Sequence, residues 1–127
     1  MIKFDKEKVL LLQQLVIKSS GGTAGVRDFG LLDSAINSVY QTFDGVELYP
    51  TKEEKGARLG YALVSNHAFV DGNKRIGLLV MLSFLAINGI RMKYTDEDLI
   101  EIGLSLADGA TSYQELLDWV RKHTITK

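Results

Sequence analysis

The chain has no cysteine, only one proline and one tryptophan, and no excess of either charge. The lack of cysteine rules out a disulfide framework, a thiol nucleophile and a thiolate-bound zinc, and it fits a reducing compartment. Fifteen Lys and Arg stand against 16 Asp and Glu, a formal charge of -1. A dedicated nucleic-acid binder would carry a basic surplus, so no direct nucleic-acid partner is expected. The longest apolar run, Leu78 to Ile87, is broken by Ser83 and is too short to cross a bilayer. The opening Met1-Ile2-Lys3-Phe4-Asp5-Lys6 lacks the charged-then-apolar pattern of a secretory signal. The expectation is a cytoplasmic protein without membrane attachment.

Hydrophobic residues make up 46% of the chain and charged residues 24%, which excludes a disordered composition. The 127 residues read as one domain, 1–127, large enough to fold without a metal or disulfide staple. Along it, helix signals recur. Asp5 is placed to N-cap a helix over 5–19, with Phe4 and Val9 spaced as a hydrophobic staple. Val9, Leu12 and Leu15 or Val16 form its apolar face, and Ser19-Ser20-Gly21-Gly22-Thr23 reads as a flexible loop. A second helix opens in the segment from Gly25 and runs to about Tyr40, on the stripe Leu31, Leu32, Ala35, Ile36 and Val39. At its entrance Arg27 and Asp28 are either a solvated pair or a brace for the wall of a site.

Thr42 to Tyr49 places β-favouring residues around Asp44-Gly45, a hairpin signal rather than an irregular loop. Such a hairpin could lie across the domain as a movable flap. Thr51 and Glu54 match a capping box for a third helix to about Ser65, and Pro50 sets its entry. Gly56 and Gly60 share one face of that helix, which predicts close approach of another backbone. A fourth helix over 72–88 is apolar almost all round and so belongs in the centre. Gly89 and Ile90 fit its C-terminal cap. Thr95 with Asp98 caps a fifth helix to about Ala107, and Ser112 with Glu115 caps a sixth to about His123. The chain reads as an all-α orthogonal bundle of about six helices with one small β-hairpin.

Between the third and fourth helices lies the densest chemistry in the sequence: His67-Ala68-Phe69-Val70-Asp71-Gly72-Asn73-Lys74-Arg75. The fourth helix starts at Gly72, and a helix amino terminus with free amides attracts anions. Gly72 admits a phosphate close to the backbone, Asn73 can shape the loop or donate to a phosphate oxygen, and Lys74 and Arg75 add cations. Asp71 amid that positive charge suits Mg²⁺ bridging nucleotide phosphates. His67 can accept a hydroxyl proton near neutral pH. Phe69 would point into the core and fix the loop. Taken singly, each of these has an ordinary structural explanation: a packed histidine, an N-cap, a solvated first turn. Together they are the parts of phosphoryl transfer.

His67-x-Phe69-x-Asp71-Gly72-Asn73-x-Arg75 resembles the motif of the Fic/Doc family, and Lys74 resembles its Doc branch, the "death on curing" toxins of toxin–antitoxin modules. Gly25-x-Arg27-Asp28-x-Gly30-Leu31-Leu32-x-Ser34-Ala35 and Phe84-Leu85-x-x-Asn88-Gly89 are Doc-like as well. The resemblance covers nearly the whole chain. It implies a Fic fold, with nucleotide bound by the motif loop and following helix. The flap, Phe43, Asp44, Gly45, Val46 and Glu47, would align a target side chain. It implies His67 as base, with Asp71 and Arg75 as its catalytic companions, and Asp71 as the Mg²⁺ ligand. Gly72, Asn73, Lys74 and Arg75 would bind phosphate, and Phe69 would anchor the loop.

The resemblance further implies a kinase-type toxin. It would move the terminal phosphate of ATP to a hydroxyl of a translation factor, elongation factor Tu, and arrest translation. AMP transfer is the alternative, and a third reading is an inactive module that binds nucleotide or antitoxin and modulates a DNA-bound repressor. Two positions depart from the AMP-transferring pattern. Lys74 stands where Gly is usual, and Leu78 where a second Arg is usual; both favour the kinase. Thr111 to Glu115 approaches the inhibitory-helix pattern of the family, but Leu116 follows in place of Gly or Asn, and capping accounts better for Ser112 and Glu115. Inhibition is therefore expected in trans, from a small Phd-like antitoxin.

Overall fold

A computed structural model describes residues 1–125 of the protein. Six helices and one hairpin follow in order: α1 (Lys6–Ser20), α2 (Phe29–Ser38), β1 (Thr42–Phe43), β2 (Val46–Glu47), α3 (Lys52–Asn66), α4 (Asn73–Ile87), α5 (Asp96–Ala107) and α6 (Tyr113–His123). The all-α architecture with a small hairpin is as the sequence predicts. Among the described residues no helix is long and apolar enough to cross a membrane.

The local signals are realised where both partners lie within one turn. Asp5, Asp28, Thr51, Thr95 and Ser112 each accept a hydrogen bond from an amide of the following first turn. The capping boxes of α3, α5 and α6 are complete in both directions. Glu115 is thereby committed to the start of α6, as the capping interpretation requires. Helix α2 is shorter than expected at both ends: Asp28 caps it, so it starts at Phe29 within the segment that opens at Gly25, and it stops at Ser38 with Val39 as its C-cap rather than near Tyr40. On α1, Val16 is buried while Leu15 faces outward, and Gln13 is buried with it.

Helices α3 and α4 form the central pair, with α2 and α6 against α3, α5 against both, and α1 on the other side of α4. Small residues allow this closeness. A Cβ built on Gly56 would lie 2.6 Å from Leu85 Cδ2, and one on Gly60 would lie 2.9 Å from Met81 Cβ. The reciprocal contact comes from α4, where a Cβ on Gly77 would meet Val64 Cγ2 at 2.6 Å and both Gly60 O and Val64 N at 3.2 Å. Two of those three atoms belong to the backbone and cannot swing aside. Gly77→Ala is therefore expected to lose about 1–3 kcal/mol of stability through overpacking, despite a helix-propensity gain of about 1 kcal/mol. The urea unfolding midpoint reads this, and a midpoint equal to or above that of the wild type refutes the close-contact account.

The centrality predicted for α4 holds on its α3 face, where Ile76, Val80, Met81, Phe84 and Leu85 are buried. It is incomplete on the opposite face, where half-buried Leu79 and Leu82 line, with Leu78, a cleft of about 450 Å³ between α1 and α5. At the far end, buried Asn88 caps the helix and also ties down the chain start: its Oδ1 accepts from Ile2 N at 2.7 Å and its Nδ2 donates to Ile2 O at 3.0 Å. The Asn88 carbonyl accepts from Lys52 Nζ at 2.8 Å. Between α3 and α6, Tyr113 donates to Glu54 O at 3.3 Å. Burial, reinforced by the Glu54 charge, pushes the Tyr113 hydroxyl up to about 12, so it stays a neutral donor.

Candidate active site

Helix α3 ends because His67 adopts a left-handed backbone, φ 52° and ψ 46°. Few non-glycine residues do so, and histidine is among the types enriched there. The turn leaves the last carbonyls of α3 without intrahelical donors. Arg27 supplies them: its Nε donates to His67 O at 2.8 Å and its Nη2 to Asn66 O at 3.4 Å. A cation at a helix carboxy terminus also complements the macrodipole. Of the two meanings open for Arg27 in the sequence, the brace is the one realised, while Asp28 caps α2 through Leu31 N at 3.0 Å.

The brace extends along the whole loop. The amides of Arg27 and Asp28 donate to Ala68 O at 2.8 and 3.1 Å, and Val70 N donates to Gly25 O at 3.2 Å. Val26 and Phe69 form an antiparallel bridge. Buried Gln13 on α1 donates to Gly25 O at 2.7 Å, fixing the outer segment in turn. Phe69 is 1% exposed, so the loop is pinned to the core by its ring as well as by its backbone.

Asn73 holds the loop from inside. Its Oδ1 accepts from Phe69 N at 2.9 Å and its Nδ2 donates to Phe69 O at 3.1 Å. Both side-chain groups of Asn73 are thus engaged in loop shape, each with Phe69. Helix α4 begins with Gly72 at φ 75° and has no side-chain cap. The first ladder bond is Ile76 N to Gly72 O at 2.8 Å, so the amides of Asn73, Lys74 and Arg75 precede the ladder. Three donors at the positive end of a helix make an anion site.

Asp71 does not cap α4. Its Oδ1 accepts from Gly72 N at 2.8 Å and its Oδ2 from Thr23 N at 3.3 Å. A Cβ on Gly22 would come within 2.6 Å of Asp71 Oδ2, so only glycine lets the α1–α2 loop come this close. Arg75 donates to Ser20 Oγ in the last turn of α1. The stretch Ser19–Thr23, expected to be a loop throughout, is helical as far as Ser20; it touches Asp71 and Arg75 from outside the residues that line the cleft.

His67, Asp71, Gly72, Asn73, Lys74 and Arg75 line one cleft of about 350 Å³, with Val64 and Ala107 as its apolar margin. Every motif residue expected to touch substrate is brought together there, and no residue of the hairpin lines it. Among the described residues neither Lys74 nor Arg75 pairs with a carboxylate, so their charge is available to an anion. Both side chains also line the apolar cleft beside α1 and α5, which puts them on the ridge between the two depressions.

The donor set suits Mg²⁺ held jointly with phosphate. Each Asp71 oxygen accepts one amide and keeps a further lone pair. Among the described residues no group of three or more His, Cys, Asp or Glu could cage a metal alone. One carboxylate beside an anion site is the protein share that Mg²⁺ takes when phosphate oxygens and water complete its shell.

The hairpin turns at Asp44 (φ 53°) and Gly45 (φ 79°), both left-handed as a type I′ turn demands. Thr42 pairs with Glu47 and Phe43 with Val46. Phe43 and Val46 are 76% and 68% exposed, so the tip offers apolar surface to a partner. Sequence reasoning missed three participants, Gln13, Ser20 and Thr23. Gln13 alone left a signal, since it shares a helical face with Val9 and Val16.

The model of the family described as Fic/DOC matches residues 3–85, from the start of the chain to the last turn of α4. The chain is 42% identical over 88 residues to the Toxin Doc of Mycolicibacterium smegmatis, an alignment covering 69% of this chain and 65% of that protein. The chain thus spans about 65% of the length of the curated relative it matches. Residues 3–85, matched by the family model, contain the braced loop, the left-handed histidine and the open amino terminus of α4. This chain belongs to the Fic/DOC family.

Proposed function

We propose that this protein is the toxin of a toxin–antitoxin module and a kinase of hydroxyl groups on protein, with ATP as donor. The observation that carries this reading is the convergence of His67, Asp71, Lys74, Arg75 and the uncapped α4 terminus on one cleft. His67 accepts the proton of the attacking hydroxyl. That oxygen bonds to the γ-phosphorus while the bridging bond to the β-phosphate breaks, and ADP departs with the electron pair. The α4 amides, Gly72, Lys74 and Arg75 hold the phosphate oxygens and offset charge as it develops. Asp71 would hold Mg²⁺, which when bound neutralises phosphate charge. The hairpin serves as the flap on which the target segment docks, through Phe43, Asp44, Gly45, Val46 and Glu47.

Leu78 supports phosphate rather than AMP transfer. It is buried against Gly103 on α5 and offers no cation where the AMP-transferring pattern has a second arginine. The whole chain acts as one domain in the cytoplasm. Its proposed target is elongation factor Tu, with translation arrest as outcome. Because Glu115 is occupied in capping α6, inhibition is assigned to a Phd-like antitoxin bound in trans. The test is incubation with elongation factor Tu and ATP labelled at either the α or the γ phosphate. Label from γ is the expected result. Label from α makes the protein an adenylyltransferase, and transfer of neither overturns both enzymatic readings.

A further inference from the structure

Lys55 lies in the first half of α3 and is 1% exposed, the most deeply buried charged side chain among the described residues. A buried ammonium is tolerated only with good acceptors. Its Nζ donates to Glu47 Oε1 at 2.8 Å and also to Tyr49 O. Both acceptors belong to the return strand of the hairpin or the residues just after it. Glu47, by contrast, keeps 51% of its side chain exposed, so the charge pair reaches from the core to the hairpin surface. Nearby, the Arg58 guanidinium stacks over the Tyr49 ring at 5.6 Å and Tyr49 meets Tyr113 edge-on at 5.3 Å. The tip has no comparable attachment, since Phe43 and Val46 project into solvent.

We infer that Lys55 is the positioning residue of the flap, latching β2 to α3 at a fixed distance and orientation from the reacting groups. This rests on the hairpin being the target-docking element proposed above. Lys55 and Asn66 are eleven positions apart on one helix, about 16 Å along its axis, and His67 follows at once. The same helix is pressed against α4 through Gly56 and Gly60. The latch, the base and the anion site therefore sit on one rigid pair of helices. A hairpin of two residues per strand has little stability of its own. Its aim is set by the latch.

The test uses the full chain with Lys55→Met, which keeps a long side chain in the buried space while removing the donor, and Glu47→Gln, which keeps a neutral acceptor. Transfer to purified elongation factor Tu, ATP affinity by calorimetry and amide hydrogen exchange are measured together. Lys55→Met is expected to raise KM for the protein target about tenfold, with ATP affinity within about twofold of wild type. Glu47→Gln is expected to fall between. Exchange of the Leu48 amide, which bonds Gln41 O at 3.0 Å across the hairpin base, should speed up while α4 amides do not change. A folded Lys55→Met protein with unchanged KM and unchanged Leu48 exchange overturns the latch. If Lys55→Met does not fold, Glu47→Ala takes its place and is read by Leu48 exchange, because Glu47 is itself a docking residue: faster exchange is expected, and unchanged exchange overturns the latch. If the wild type itself transfers nothing, the functional reading fails, and unchanged Leu48 exchange then overturns the latch on its own.

Discussion

His67→Asn is expected to lower transfer by about two to four orders of magnitude while leaving the fold and ATP affinity near those of wild type. Asparagine is the informative replacement because the position has φ 52°, and asparagine tolerates the left-handed region where alanine is strained. The substitution therefore removes the proposed proton acceptor and keeps the turn that ends α3. Arg27 bonds the main-chain carbonyls of residues 66 and 67, so the brace also survives the change. Labelled transfer, thermal unfolding and calorimetry on the same preparation separate chemistry from folding. A folded His67→Asn protein that transfers at the wild-type rate would falsify the base assignment.

The second large effect falls on stability. Phe69→Ala is expected to cost about 3–5 kcal/mol, the usual range for emptying a fully buried aromatic position. A loss of that size is a substantial part of the stability of a small domain, so the variant should show a much lower denaturant midpoint. The loss is not confined to the core. The amide and carbonyl of Phe69 are the two groups that Asn73 grips, and its backbone bridges Val26. Without the ring, the loop that carries the carboxylate of Asp71 and the start of α4 would loosen together. Transfer is thus expected to fall even at temperatures where the variant is folded, and a midpoint within about 1 kcal/mol of wild type, converted through the unfolding slope, would refute this account.

Sequence alone disclosed what depends on neighbours in the chain. Capping boxes at Thr51, Thr95 and Ser112 involve partners three residues apart, and each is formed. The glycine pair of α3 announced a close contact without saying that Leu85 and Met81 would supply it. The candidate site was legible as a list of groups, because its motif is nine contiguous residues. Its setting was not. Thr23 reaches Asp71 across 48 positions and Arg27 reaches His67 across 40, and no helical period encodes such encounters. Lys55 was unreadable for a similar reason: a lysine beside an acidic helix start looks solvated until the hairpin folds over it.

The two ends of α4 have a practical consequence for anyone handling the protein. Its amino end opens onto the cleft, while Asn88 at the other end grips Ile2 through two hydrogen bonds. Fifteen helical residues separate them, about 22 Å of rise. An affinity tag or fluorophore joined at Met1 therefore emerges beside the end of α4 opposite the cleft. Such a label can report on binding of a proposed partner without standing in the doorway of the cleft.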